Sequence, residues 1–177
     1  MSIVVLVGNP RPQSRTLQVA VRAAAAVGER TGRADAPDLI DLSALAPGLL
    51  NAVPASEVQD ALDRVAGADV LVVASPTYKA TYTGLLKVFL DRLPGGALAS
   101  TVALPLLVMG DAKHALAVEV HLRPLLVELG AAVPTPGLAF PESRFADAEE
   151  VLDAWAGLVA PQVTAALAGR AVAAARG

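Results

Sequence analysis

The sequence of 177 residues is 54% hydrophobic and 3% aromatic, which suits one domain with a sizeable core built mainly from Val, Leu and Ala. The formal net charge is -3 and the chain has no basic run, so nucleic acid is not expected as a partner. The chain contains no cysteine, which excludes disulfides, thiol nucleophiles and thiolate metal sites.

Short apolar runs bounded by turn residues predict the strands of a parallel sheet that is buried on both faces. In chain order these runs are Ile3–Val7, Asp38–Leu42, Val70–Ala74, Val102–Val108 and Gly137–Phe140. Stretches with a helix-forming composition alternate with them. In chain order these are Thr16–Thr31, Ser56–Gly67, Tyr82–Leu93, Ala112–Leu129 and a last helix from Asp147 to about Ala168. The tail 169–177 either extends that helix or frays.

Local signals mark several helix ends. Ser56 followed by Gln59 forms a capping-box pattern at the start of the second predicted helix, and Gly67 marks its end. Pro124 removes a backbone hydrogen bond within the predicted helix Ala112–Leu129, so we expect a kink or a break there.

The repeated alternation of strand and helix predicts a single doubly wound α/β domain over residues 1–177, with right-handed crossovers. Ligands of such sheets bind at the carboxyl ends of the strands, where the strand order reverses. Three loops leave strands near that point: residues 8–16, 75–82 and 109–114. We find no signal-peptide pattern and no apolar run near the roughly 18–20 residues of a membrane span, so a cytoplasmic protein without a membrane partner is expected.

The first loop, residues 8–16, reads Gly-Asn-Pro-Arg-Pro-Gln-Ser-Arg-Thr and leads from a strand into a helix. Backbone N–H groups at a helix N-terminus have no partner within the helix, and the helix dipole favours an anion there. Ser14 and Thr16 offer hydroxyl donors, and Arg11 or Arg15 offers a charge-assisted hydrogen bond. The loop therefore favours a site for a terminal phosphate. An ordinary strand–helix turn with Ser14 as the N-cap is the alternative.

The second loop, residues 75–84, contains both tyrosines of the chain, Tyr78 and Tyr82. A loop with a turn-forming proline, free backbone N–H groups and an aromatic side chain can lie along a flat ring system and hydrogen-bond to its edge. The alternative is that the tyrosines only cover the rim of the sheet, and for Tyr82 this alternative is at least as strong.

Together the two loops resemble the NAD(P)H-dependent FMN reductases. Residues 8–16 are similar to the family's phosphate loop, G-S-P-R-x-x-S-[RK]-[ST], and residues 75–87 are similar to its S-P-x-Y-x-x-x-[YF]-[ST]-G-x-[LF]-K loop and helix start. Residues 116–126 resemble the helix after the family's fourth strand. The resemblance covers roughly residues 1–140 and is strongest to the reductases of alkanesulfonate-utilising systems, which supply free reduced flavin to a partner monooxygenase.

The resemblance implies a flavodoxin-like fold, a three-layer sandwich around a five-stranded parallel sheet in the order 2-1-3-4-5, and homodimers or homotetramers. It implies FMN and NADPH (or NADH) as cofactors. Carried over by position, the phosphate would be bound by Arg11, Ser14 and Thr16, the isoalloxazine would be lined by Pro76, Thr77 and Tyr78, and Gly110 with Asp111 would close its other side. Further cofactor-binding candidates are Asn9, Arg15, Lys79 and His114, with Arg15, Lys79 and Lys113 as candidates for the nucleotide's 2′-phosphate.

No catalytic side chain is expected, because hydride transfer from nicotinamide to flavin needs the two rings stacked about 3–3.5 Å apart rather than acid–base help. Backbone N–H groups of residues 77–79 and 110–111 are candidates to stabilise negative charge on the reduced ring. No metal is expected either, since His114 and His121 have no acidic neighbour at metal-site spacing.

Two positions depart from the family pattern. Asn9 stands where the family commonly has Ser. Val120 stands where related sequences often carry Tyr or His, and in the alkanesulfonate subgroup a Tyr there is associated with a π-turn. His121 follows one residue later, and a regular helix would rotate it by about 100° unless a bulge changes the register.

An FMN reductase that feeds a flavin-dependent monooxygenase is the leading hypothesis. An FMN-containing quinone or azo reductase is the alternative, and a flavodoxin-type electron carrier is less favoured because the phosphate loop contains arginines. The predicted helix Leu85–Leu93 is apolar around much of its circumference, which favours a subunit interface over burial beneath the C-terminal helix.

Overall fold

A computed structural model describes residues 1–33 and 35–174. Within them a five-stranded parallel sheet has the order β2-β1-β3-β4-β5. Its strands are β1 (Ile3–Val7), β2 (Asp38–Asp41), β3 (Val70–Pro76), β4 (Val102–Met109) and β5 (Leu138–Pro141). The predicted flavodoxin-like sheet and its strand order are confirmed.

The helices lie on both faces of this sheet. They are α1 (Arg15–Arg30), α2 (Leu42–Leu45), α3 (Ser56–Ala66), α4 (Gly84–Leu90), α5 (Arg123–Glu128) and α6 (Ala148–Ala174). Short 3₁₀ turns cover Ala46–Gly48, Ala112–His114 and Glu142–Asp147. The helix α2 and the turn after it were not predicted, while α6 begins directly after Asp147 as expected and continues past Ala168. Residues 175–177 of the predicted tail lie outside the described residues.

Alternate side chains of each central strand enter two different cores. In β1, Val4 and Leu6 pack with α3, α4 and α5, whereas Val5 and Val7 pack with α1 and α6. All five side chains of β1 are buried, as are all eight of β4. This double burial explains why the strands are apolar at every position instead of alternating.

The capping-box prediction at Ser56 is wrong. Ala55 is the N-cap residue of α3, with an extended backbone (φ -64°, ψ 157°) and no side-chain cap. Ser56 is already the first helical residue, and its hydroxyl donates to the neighbouring Glu57 carboxylate at 3.1 Å. The chain enters the helix one residue earlier than the local pattern indicates. Gly67 is the C-cap residue, as predicted.

The predicted helix Ala112–Leu129 is wrong in its first half and in the position of its break, which was expected at Pro124. The segment begins with the 3₁₀ turn Ala112–His114, continues through a π-helix (Val118–Leu122) and ends in α5. Pro124 lies in the first turn of α5, where a proline costs no helical hydrogen bond, so the break falls before it. The helical register therefore changes within the segment that contains Val120 and His121.

An ion-pair network anchors the π-helix to the chain that leads into β5. Arg123 donates to the Glu119 carboxylate at 2.5 Å and to the carbonyl oxygens of Val133 and Thr135, both at 2.6 Å. The second oxygen of Glu119 accepts the backbone N–H of Gly137 at 2.6 Å. The hydrogen bond from Arg123, followed by that from Gly137, lowers the pKa of Glu119 below its ordinary value.

One segment of the described chain, Glu142–Arg170, is long and apolar enough to cross a membrane by length and composition. This corrects the expectation that no apolar run approaches that length. Core helices of water-soluble proteins meet the same criterion, and α6 packs against α1 and the sheet through Leu152, Trp155 and Val159. The Trp155 indole donates to the Pro136 carbonyl at 3.3 Å.

At the edge of the sheet, β2 is covered by a guanidinium group. Arg64 of α3 pairs with Asp38 and donates to the Leu39 carbonyl at 3.1 Å. The hydrogen bond that Arg64 donates to Asp38 raises the pKa of Arg64.

Candidate functional site

An open cleft of about 400 Å³ lies at the carboxyl ends of β1, β3, β4 and β5. It is lined by Asn9, Arg11, Pro12, Ser14, Arg15, Thr16, Pro76, Thr77, Tyr78, Val108, Gly110 and Glu142. Nine of these residues are predicted cofactor-binding residues, so the structure brings the first and second loops together at one site.

The first loop is held tightly against α4. The Gly8 N–H donates to the Ala74 carbonyl at 2.8 Å, and the Gly8 carbonyl accepts the Thr83 hydroxyl at 2.5 Å. A Cβ on Gly8 would lie 2.5 Å from Leu86 Cβ and 3.2 Å from its Cα, so only glycine allows this approach. Close packing therefore sets where the loop begins.

Asn9 is buried, and its side chain stabilises the loop instead of offering a free hydrogen-bond donor to the cleft. Its Nδ2 donates to Thr16 Oγ1 at 3.0 Å, while its Oδ1 accepts the Arg11 N–H at 2.9 Å. Both ends of the amide are thus used within the loop. This arrangement connects the start of the loop to the first turn of α1 and leaves the Thr16 O–H free to donate.

The first turn of α1 faces the cleft. Ser14 is its N-cap residue, and its hydroxyl accepts the Leu17 N–H at 3.2 Å. The N–H groups of Arg15 and Thr16 fall in the turn where helical donors lack a partner within the helix. Gln13 has φ 51°, and this left-handed residue turns the chain into the helix. The alternative interpretation, with Ser14 as the N-cap, is thus confirmed, and it does not exclude an anion at this turn.

The second loop ends in a strained tight turn. Tyr78 and Thr81 exchange backbone hydrogen bonds of 2.9 and 3.2 Å, and the two residues between them, Lys79 and Ala80, have φ values of 52° and 68°. Two consecutive residues with positive φ make a type I′ turn, which usually contains Asn and Gly. The turn supports Tyr78, whose side chain is 42% exposed beside the cleft.

Thr77 lines the cleft and contains a buried polar atom. Its N–H donates to the Val108 carbonyl at 2.8 Å, which fixes the backbone between β3 and β4. Its Oγ1 is buried and has no hydrogen-bond partner among the described residues. A buried hydroxyl in a native cleft with no protein partner is typical of a group that a ligand satisfies.

Three predicted residues stand beside the cleft rather than among its lining residues in the described structure: Lys79, Asp111 and His114. Asp111 instead caps the 3₁₀ turn, accepting the Lys113 N–H at 3.0 Å and pairing with Lys113 Nζ at 2.8 Å. These contacts with Lys113 lower the pKa of Asp111. His114 lies within that turn and is half-buried.

Three residues that line the cleft were not predicted from the sequence: Pro12, Val108 and Glu142. Glu142 makes the most contacts of interest. Its Oε1 accepts Arg15 Nη1 at 3.1 Å, and its Oε2 would lie 4.0 Å from a Cβ on Gly110. Phe145, three residues later, lies under the Arg15 guanidinium at 5.3 Å from the ring centroid. One signal was available: Glu142 follows the fifth strand directly, and the carboxyl ends of parallel strands share one edge of the sheet.

The family model described as NADPH-dependent FMN reductase matches residues 1–144. The chain belongs to this family. Over 92 residues it is 42% identical to a Pseudomonas putida FMN reductase (NADPH), covering 52% of this chain and 47% of that relative. The match thus spans about half the length of that relative. The earlier resemblance is confirmed.

Two longer matches support family membership. The chain is 32% identical over 157 residues to the NADH-dependent FMN reductase SfnE of Pseudomonas putida, covering 86% of this chain and 80% of that protein. Its fold is similar to the crystal structure of an NADH:FMN oxidoreductase (EMOB), with a TM-score of 0.79 and 36% identity. That alignment covers 88% of this chain and 86% of the other.

The described residues fit the mononucleotide that gives the family its name. The first turn of α1 suits a terminal phosphate, with Arg11 and Arg15 as nearby cations. The orphan hydroxyl of Thr77 suits a polar edge of a ring placed against the second loop. Gly110 contributes no side chain to the lining of the cleft.

Proposed function

We propose that the protein is an NAD(P)H-dependent FMN reductase, in which bound FMN accepts a hydride from a nicotinamide. The buried, unpartnered Thr77 hydroxyl in a cleft that also contains a helix N-terminus carries this proposal. It combines a donor for a ring edge with donors for a phosphate, and a mononucleotide has both groups.

At the phosphate end the proposed ligands are the N–H groups of Arg15 and Thr16, the hydroxyls of Ser14 and Thr16, and the Arg11 guanidinium. Asn9 acts through Thr16 and Arg11 as a positioning residue, since both ends of its amide are already used. Charge-assisted hydrogen bonds to a phosphate are roughly twice as strong as neutral ones, so Arg11 contributes more than either hydroxyl.

At the ring end we assign Pro76, Thr77 and Tyr78 to one side of the isoalloxazine and Gly110 to the other. The Thr77 and Tyr78 N–H groups are already donated to the Val108 and Thr81 carbonyls, contrary to the expectation that they serve the ring. The Lys79 N–H is therefore the backbone donor that we assign to the ring edge, and Lys79, Asp111 and His114 border this end. Their role is to orient the ring and to leave one face open for the nicotinamide. No side chain is assigned a proton-transfer step.

A matched pair of threonine variants tests the site. Thr77→Val removes the unpartnered hydroxyl, so we expect unchanged or slightly higher stability without ligand but FMN affinity about tenfold lower. Thr101 is also buried, but its hydroxyl donates to the Ala68 carbonyl at 3.0 Å. Thr101→Val should therefore lower stability by about 1 kcal/mol and leave FMN affinity unchanged. FMN titration by flavin fluorescence and urea unfolding measure the two effects.

Turnover tests the reaction itself. We expect the purified protein to oxidise NADPH or NADH only when FMN is added, which is the behaviour of a protein whose flavin is a substrate. Turnover with a retained flavin and an added quinone would instead support the quinone or azo reductase alternative. Absence of turnover with both nucleotides would reject the reductase. The relatives' names include both NADPH and NADH, so both nucleotides are required in the assay.

We also propose that the reduced flavin leaves for a flavin-dependent monooxygenase. The cleft is open and its ring-side walls contain small residues, which suits exchange. A coupled assay with such a monooxygenase, kept across a dialysis membrane from the reductase, tests whether free reduced flavin suffices.

A homodimer or homotetramer in the cytoplasm, built from a single domain over residues 1–177, completes the proposal. In α4, Leu86, Phe89 and Leu90 are buried in their own chain, while Leu85 and Val88 are half-buried. Leu116 and Val120 are among the exposed apolar residues, with 71% and 56% of their surface exposed. Sedimentation of the native protein and of Val120→Glu tests this surface, and a monomeric native protein would reject it.

A further inference from the structure

Glu142 places a negative charge inside a cleft that otherwise attracts anions. Among residues 1–33 and 35–174 it is the one carboxylate that lines this cleft, opposite the arginines of the first loop. The 3₁₀ turn that it begins follows β5, so the sheet brings it to the phosphate end of the site. Its side chain is 47% exposed and forms an ion pair with Arg15.

Glu142 also pairs with Arg15, a second cation beside the ligands that we propose for the phosphate. The Arg15 guanidinium contacts the Glu142 carboxylate at 3.1 Å and lies over the Phe145 ring at 5.3 Å. Both partners of Arg15 come from the turn Glu142–Asp147. In this arrangement the Arg15 guanidinium lies on the β5 side of the cleft, where the Glu142 carboxylate is its ion-pair partner.

We propose that Glu142 competes with the FMN phosphate for Arg15, so that it weakens FMN binding and speeds FMN release. This inference rests on the proposed function and adds that the rate of FMN release is set by this carboxylate. An ion pair between exposed groups is worth little by itself, so Arg15 can transfer from Glu142 to a phosphate without a large barrier. The same carboxylate repels the phosphate dianion directly.

The test is Glu142→Gln, which keeps the size of the side chain and removes its charge. We expect its dissociation constant for FMN to be about three- to tenfold lower than that of the native protein, mainly through slower release. Riboflavin lacks the phosphate, so its affinity should not change. The control is Glu149→Gln, which removes an exposed charge that lies in a different cleft, beside Glu29.

The outcomes are separable. If Glu142→Gln binds FMN more weakly than the native protein does, Glu142 is a ligand for the ribityl chain and the inference is overturned. If it matches the control, or tightens riboflavin as much as FMN, the competition for phosphate is also overturned. In each of these cases the native protein still binds FMN and the proposed function stands. If the native protein binds neither flavin, the proposed function itself fails.

Discussion

Two regions at the carboxyl end of the sheet depart from regular structure, and different forces hold them. The first loop, residues 8–16, is held by close packing of Gly8 on Leu86 and by buried neutral hydrogen bonds. The π-helix Val118–Leu122 is held by the half-exposed ion pair between Glu119 and Arg123. The stability of the first loop is therefore sensitive to side-chain volume, whereas that of the π-helix is sensitive to charge and pH.

The largest effect should come from added volume at the first loop. In Gly8→Ala the new methyl group would lie 2.5 Å from Leu86 Cβ. We expect a loss of about 3 kcal/mol in the free energy of unfolding, together with loss of FMN binding. The control is Gly84→Ala, where a Cβ meets nothing within 4 Å. Equal urea midpoints for the two variants would contradict the close-packing account.

The next effect should come from loss of the cation at the π-helix. Arg123→Ala removes hydrogen bonds to Glu119 and to two carbonyl groups. We expect a loss of about 2 kcal/mol, because the partners left behind lose their donor. In Arg144→Ala an exposed pair with Asp147 is lost, and a change within about 0.5 kcal/mol is expected. Thermal or urea unfolding of both variants would reveal whether the network is stabilising.

The predictability of the two regions differs for a physical reason. The glycine, the N-cap serine and the arginines of the first loop are neighbours in sequence, so local rules and a family pattern place them at one site. The π-helix depends on the hydrogen bond from Gly137 to Glu119 across 18 residues, which no local periodicity shows. The sequence therefore predicts a break at Pro124, whereas the fold changes register within Val118–Leu122.

The same contrast applies within the cleft. The loops after β1 and β3 were predicted because each contains a recognisable motif. Glu142 follows the short strand β5 without such a motif, and its contact with Arg15 spans 127 residues. Sheet topology brings the two residues together, so only a deduction from strand order, rather than from composition, reaches Glu142.

A smaller effect is expected from pH. The pKa of Glu119 is lowered in the folded protein by its hydrogen bond with Arg123. The stabilisation is therefore complete above the unfolded pKa of about 4.3 and is lost as the pH falls through the lower folded value. Solvent screening limits it to less than about 1 kcal/mol. Urea unfolding at several pH values measures this effect. In Glu119→Gln the free energy of unfolding should fall less steeply with acidification than in the native protein. In Gly8→Ala it should fall as steeply as in the native protein.

The smallest effect concerns strain, a third kind of constraint beside packing and charge. Ala80 has φ 68° in the type I′ turn. We expect Ala80→Gly to raise stability by about 0.5 kcal/mol, since glycine adopts this conformation without strain. Ala154→Gly, in the exposed face of α6, should lower stability by about 1 kcal/mol. Melting temperatures that fall in both variants would show that the turn is not strained.

The covered edge of β2 has a consequence for association between copies. A strand with free backbone groups invites another chain to extend the sheet, which is a common route to aggregation. Here Asp38 and Asp41 stand at the ends of the edge strand, and Arg64 occupies the Leu39 carbonyl. Growth of the sheet by strand addition is therefore opposed at its β2 edge.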